Sequence, residues 1–223
     1  MPAISRVQRR APADPAAPRA LVVLIHGLGA DGTDLIDLAD AWSAAAPGAV
    51  FLAPDAPHPY EGAPFGRQWF PLTDRRPAVL AAAARAAAPE LDAWLDAALV
   101  QEGVPPGRLV LMGFSQGAML SLQAGLRRRP APAAILAFAG ALLDPDGLAA
   151  GAARSAEDAW PPVLLVHGIE DSIVPAEASR RAETVLRGLG VPVETRFVPG
   201  VDHGIDPVGI AAGAAAIRRA LTA

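Results

Sequence analysis

The sequence predicts an α/β fold, with a mostly parallel central sheet and helices on both faces. Short runs of leucine and β-branched residues, such as Leu21–Ile25 and Val163–His167, alternate with segments of helical period. The links between them are short, so successive strands should run parallel with a helix crossing back between each pair. The chain has 223 residues, 52% hydrophobic and 19% charged, which is enough for one sizeable core. No composition break divides it, so a single domain over residues 1–223 is expected.

Each element has its own warrant. A short edge strand is expected near Ile4–Gln8, then an Ala/Pro-rich surface loop over 11–18. Leu21–Ile25 is continuously apolar, as a strand buried on both faces must be. A helix is expected from Asp34 to Ala45 and a strand over Val50–Ala53, stopped by Pro54. Residues 54–72 read as loop, yet they carry Tyr60, Phe65, Trp69 and Phe70, which suits a core lid or a binding wall. Ala81–Ala88 reads as helix. In Pro89–Gln101, residues Leu91, Trp94, Leu95, Ala98 and Leu99 share one helical face, and Gly103 is a natural stop. The remainder reads as strand Arg108–Phe114, helix Gln116–Arg128, and strands Ala133–Ala139 and Val163–His167. Helix Ala176–Leu189, strand Val193–Val198 and a closing helix over Pro207–Leu221 follow.

Composition excludes several classes. The net charge of −4 gives no electrostatic case for nucleic acid as a partner. Without cysteine there is no disulfide, thiolate catalysis or cysteine-held metal. The first apolar run is too short for a signal core or for a membrane span of ~20 residues, so a cytoplasmic location is expected. No metal-ligand cluster and no Walker A lysine is evident, and no cofactor is expected.

The strongest local signal is Gly113-Phe114-Ser115-Gln116-Gly117, a G-x-S-x-G between a buried strand and a helix. Such a turn is so sharp that the serine is forced into strained backbone geometry, its hydroxyl lifted above the sheet. Flanking glycines remove Cβ atoms that would clash. A serine hydroxyl needs a base, and only His167 and His203 of the four histidines follow Ser115. His203 sits past the last strand, where the base should lie. His167 ends a strand and reads as a structural histidine. The acid should follow the preceding strand, which makes Asp171 the choice and Glu170 the fallback. Asp202 adjoins His203 and cannot easily reach its ring.

Acyl transfer also needs donors for the developing oxyanion. The backbone N–H of Gln116 is one candidate, and that of Leu28, in His26-Gly27-Leu28-Gly29, is the other. His26 reads as a brace for this loop. The same stretch hides a rival, because Gly27 to Gly32 spells G-x-G-x-x-G, with Asp55 where a ribose-binding acid would stand. A dinucleotide-binding oxidoreductase would use these residues. It would leave Ser115, Asp171 and His203 without a role.

Taken together, His26–Gly32, Gly113–Gly117, His167-Gly168 with Asp171, and His203-Gly204 resemble the phospholipase/carboxylesterase family. The resemblance runs from about residue 20 to the end. It implies an α/β-hydrolase with little or no cap domain, and Ser115, Asp171 and His203 as a catalytic triad. It implies Leu28 and Gln116 as oxyanion donors, and Trp69 and Phe70 as residues lining the acyl site. The implied activity is hydrolysis of short- to medium-chain acyl esters, small-molecule substrates, by a serine carboxylesterase. Thioesterase or lysophospholipase activity is the alternative within the family. Several bacterial members are dimers, so a homodimer is implied as well. The segments 54–72 and 141–161 are expected to shape the pocket.

Overall fold

The computed structural model describes residues 4, 6–17, 19–151 and 159–222. Parts of three expectations, at residues 5, 18 and 152–158, lie outside the described residues.

The elements follow in the order β1 (Val7–Arg10), β2 (Ala20–Ile25), α1 (Leu38–Trp42), β3 (Ala49–Pro54), β4 (His58–Pro59) and β5 (Arg67–Gln68). Next come α2 (Pro77–Glu102), β6 (Leu109–Phe114), α3 (Gln116–Gly125), β7 (Ala134–Phe138) and α4 (Pro145–Ala150). The chain then forms β8 (Val163–Gly168), α5 (Glu177–Gly188), β9 (Val193–Val198) and α6 (Pro207–Thr222). The main sheet has the order β1-β3-β2-β6-β7-β8-β9, antiparallel at β1 and parallel elsewhere.

Strand alternation sorts the core onto two faces. Val22, Leu24, Val110 and Met112 pack with Trp42 of α1 and Ile217 of α6. Leu21, Val23, Ile25 and Leu111 face the other way, onto Leu91, Leu95 and Leu99 of α2 and Leu120 of α3. Complete burial of one such leucine is worth ~2–3 kcal/mol, so the central strands anchor the fold. The order of strands reverses between β2 and β6: the early chain builds outward one way, the later chain the other. A crevice opens above the strand ends at such a reversal, and ligands bind there.

Four expectations need correction. The edge strand lies at Val7–Arg10, later than Ile4–Gln8, where it pairs antiparallel with Phe51–Pro54 of β3. Arg9 makes a bidentate pair with Glu102, and Arg10 reaches Asp37. The helix expected from Asp34 starts only at Leu38, since residues 32–37 are consecutive turns. Helix α2 runs unbroken through Pro89. Proline cannot donate to the carbonyl four residues back, but Arg85 and Pro89 both lie on the exposed face, where water can bond the freed group. The loop 54–72 contains the small β4–β5 hairpin. Helix α4 was not anticipated. It is only six residues long, and its start is set by Asp144 accepting from the N–H of Gly147.

Candidate active site

Ser115 stands between β6 and α3 with φ 53° and ψ −116°, a backbone region costly for any residue with a side chain. Its own N–H donates to Phe138 on β7, which helps to hold the strained turn. Both flanking glycines are sterically required. A Cβ on Gly113 would overlap the carbonyl oxygen of Gly117, and one on Gly117 would overlap that of Ile25.

Three side chains meet here from three strand ends. His203 Nε2 accepts from the Ser115 hydroxyl at 2.9 Å, and His203 Nδ1–H donates to Asp171 Oδ2 at 2.7 Å. This assigns the Nδ1–H tautomer to His203 and leaves Nε2 free to take a proton. Asp171 is held in turn: its Oδ1 accepts from the N–H groups of Ile173 and Val174. The ring of Phe114 stacks against His203 with centroids 4.9 Å apart. Asp206 caps α6 through the N–H groups of Val208 and Gly209, fixing where the His203 loop ends.

The alternatives are engaged elsewhere. Glu170 accepts from the N–H of Gly200, and Asp202 accepts from Ser172. His167 is buried, with Nδ1 2.7 Å from Ser179 Oγ and Nε2 2.8 Å from the Val174 carbonyl. It also stands 3.2 Å from Asp171. Burial pushes its pKa down against the opposing pull of Val174 and Asp171. His26 is likewise buried and pushed down by burial. Its Nδ1–H donates to the Gly27 carbonyl while Nε2 accepts from Ala56 N–H, so it braces the loop after β2.

That loop lies directly beside the serine. Residues Ile25 and Gly113 are paired across β2 and β6, and a Cβ on Gly27 would stand 3.4 Å from that of Ser115. Among the described residues, neither the N–H of Leu28 nor that of Gln116 has an acceptor within the chain. A hollow of about 190 Å³ opens beside Leu28, lined also by Tyr60, Gln68, Thr73 and Arg75.

Trp69 and Phe70 are the two residues expected to line the acyl site. Each is only 2% exposed, and they belong to the core rather than to that hollow. Trp69 Nε1–H donates to the His26 carbonyl. Aromatic content alone does not distinguish a wall from a floor.

The glycine loop is unsuited to a dinucleotide. No helix opens on it, since α1 starts six residues after Gly32. Asp55, the would-be ribose acid, accepts from the N–H of Gly32. Gly29, at φ 82°, donates to the Arg67 carbonyl, and Arg67 N–H donates to Ala30, so the β4–β5 hairpin covers the loop's flank.

Comparison with known proteins gives the family. A family model described as phospholipase/carboxylesterase matches residues 9–219. Acyl-protein thioesterase 1 of Emericella nidulans is 28% identical over 205 residues, covering 86% of each chain. Acyl-protein thioesterase 1 of Gibberella zeae is 36% identical over 108 residues, which is 48% of this chain and 46% of that protein. The crystal structure of esterase PE8 is 39% identical, covers 96% of this chain and 98% of its own, and superposes with a TM-score of 0.88. Among the described residues, no helix is long and apolar enough to cross a membrane. The chain belongs to the phospholipase/carboxylesterase family, on an α/β-hydrolase fold.

Proposed function

We propose that the protein is a serine carboxylesterase that cleaves short- to medium-chain acyl esters through an acyl-enzyme. The observation that carries this is the unbroken chain of short hydrogen bonds from Ser115 through His203 to Asp171. As Ser115 Oγ attacks the ester carbonyl, its proton passes to His203 Nε2. Asp171 stabilises the imidazolium formed. The N–H groups of Leu28 and Gln116 hold the oxyanion, each worth ~3–4 kcal/mol in the transition state. His203 then protonates the departing alcohol. In the second half it deprotonates water, which releases the acid and restores the serine. Trp69 and Phe70 serve the site from beneath, by positioning these groups.

Thioester hydrolysis by the same steps is the second reading, favoured by the thioesterase names of two relatives. The ratio of kcat/KM for an oxyester and a thioester of one acyl chain separates the two. We further take the chain as a single domain acting in the cytoplasm as a homodimer, and light scattering tests the last point.

Labelling with a fluorophosphonate, followed by mapping of the adduct, tests the nucleophile. The adduct is expected on Ser115, and Ser115→Ala is expected to lose activity by about 10⁶ in kcat. An adduct elsewhere, or a Ser115→Ala variant that keeps most of its activity, removes the assignment.

A further inference from the structure

The Gln116 side chain has no part in the chemistry above, yet it is wholly buried at the centre of the site. Its Oε1 accepts from the Trp69 backbone N–H at 2.8 Å, and its Nε2 donates to the Phe70 carbonyl at 2.7 Å. Both amide groups are thus spent on one short segment. That segment reaches back to the loop of Leu28 in two ways. The Trp69 indole N–H donates to the His26 carbonyl at 2.9 Å. Arg67, two residues earlier, exchanges bonds with Gly29 and Ala30, each 2.8 Å long. The Arg67 guanidinium also donates to the carbonyls of Ala56 and Pro57, and Ala56 donates to His26. The bonds therefore close a ring from the residue after the nucleophile, through 67–70, to both ends of the loop after β2.

We infer that the Gln116 side chain is a positioning residue for the oxyanion hole, a strut that holds the Leu28 N–H at a fixed place relative to the Gln116 N–H. The inference rests on the proposed roles of those two N–H groups. The two donors follow separate strands, β2 and β6, and no bond joins Leu28 to Gln116 directly. Donors work in catalysis only when they are already placed where the charge develops, and misplacement by about 1 Å can cost about 10²-fold. A residue that carries one donor on its backbone and fixes the other through its side chain couples the two placements. An apolar side chain of similar length would fill the same space but leave the Trp69 N–H and the Phe70 carbonyl buried without partners.

The test is kinetic. Gln116→Met is expected to lower kcat about 10- to 100-fold with KM within twofold. It should weaken a trifluoromethyl ketone, whose adduct carries the oxyanion, by the same factor as kcat/KM. Gln116→Glu gives a second signature: a protonated carboxyl has the same donor and acceptor as the amide. Its activity relative to wild type should therefore rise as pH falls. Trp69→Phe keeps the ring in the core and cuts only the bond to His26. It reports from the other side of the ring should Gln116→Met fail to fold, and its loss should again fall on kcat and on ketone affinity together. Unchanged kcat in both Gln116→Met and Trp69→Phe overturns the inference. So does a loss confined to KM or to thermal stability. If the Gln116 variants are normal while Ser115→Ala is inactive, only this inference falls. If Ser115→Ala stays active, the reading beneath it falls too.

Discussion

The two oxygens of Asp171 do different work: Oδ2 faces His203 Nδ1 at 2.7 Å, while Oδ1 takes the backbone N–H groups of Ile173 and Val174. Orientation of the carboxylate is therefore set by the turn after β8 and does not depend on His203. Asp171→Asn can keep the Oδ1 bonds. It would then present an NH₂ group to His203, which selects the wrong imidazole tautomer. The expected result is a loss of about 10⁴ in kcat with little change in folding stability. Steady-state kinetics with a thermal melt on the same sample decide it. Near-normal turnover would move the role of acid away from Asp171.

Two buried histidines should make stability pH-dependent. His26 and His167 are buried in the folded protein, with both ring nitrogens engaged. Burial holds the pKa of each below its ordinary value. In the unfolded chain each takes up a proton near pH ~6.5. Below that pH the unfolded state binds more protons than the folded one. Stability is thus fully present above pH ~6.5 and is lost as pH falls toward the folded values, at up to about 1.4 kcal/mol per pH unit for each histidine. Urea midpoints at pH 8, 7, 6 and 5 measure the slope. His26→Gln should flatten it below pH ~6.5, whatever it does to the absolute level. An unchanged slope would remove His26 from the account.

Two glycines with different environments should respond differently to alanine. At Gly117 a Cβ would overlap the Ile25 carbonyl and stand 2.6 Å from that of His26. The strand leading to the Leu28 loop must move, so Gly117→Ala is expected to lose ~1–3 kcal/mol and nearly all activity. Gly103 ends α2 at φ 65° with nothing within 4 Å of an added Cβ. Gly103→Ala bears only the left-handed strain, about 1–2 kcal/mol, and should keep normal kcat. Denaturation and turnover measured in parallel separate the two cases. Equal loss of activity in both would mean that the elbow glycine acts only through global stability.

These contrasts explain which features were legible in the sequence. The turn at Ser115 demands glycine at fixed places, a buried strand before and a helix after, so a five-residue pattern predicts a three-dimensional feature. The positions of His203 and Asp171 follow because the sheet delivers each loop to the same edge. The direction of an aromatic side chain has no comparable signature. Trp69 and Phe70 read the same whether they face a pocket or the core, and only the packing of the folded chain buries them. The strut made by Gln116 was hidden for a related reason. Its partners are backbone groups of residues 69 and 70, which every sequence possesses. Helix α2 crosses Pro89 on its exposed face, and which face is exposed is settled only by the fold.

The glycine loop supplies the last prediction. A dinucleotide site would need free N–H groups at a helix start and a free acid after the next strand. Gly29 N–H is committed to Arg67, Gly32 N–H to Asp55, and Ala30 N–H to Gly27. Binding a pyrophosphate there would break bonds to the β4–β5 hairpin, which also holds the Leu28 loop in place. NAD or NADP at millimolar concentration is therefore expected to leave both the melting temperature and the esterase rate unchanged. A ligand at 100 times its Kd stabilises a protein by ~2.7 kcal/mol, so even modest affinity would show. A thermal shift with either nucleotide, abolished by Asp55→Ala, would revive the oxidoreductase reading. The same Asp55→Ala variant should slow ester hydrolysis if this carboxylate instead supports the oxyanion loop through Gly32.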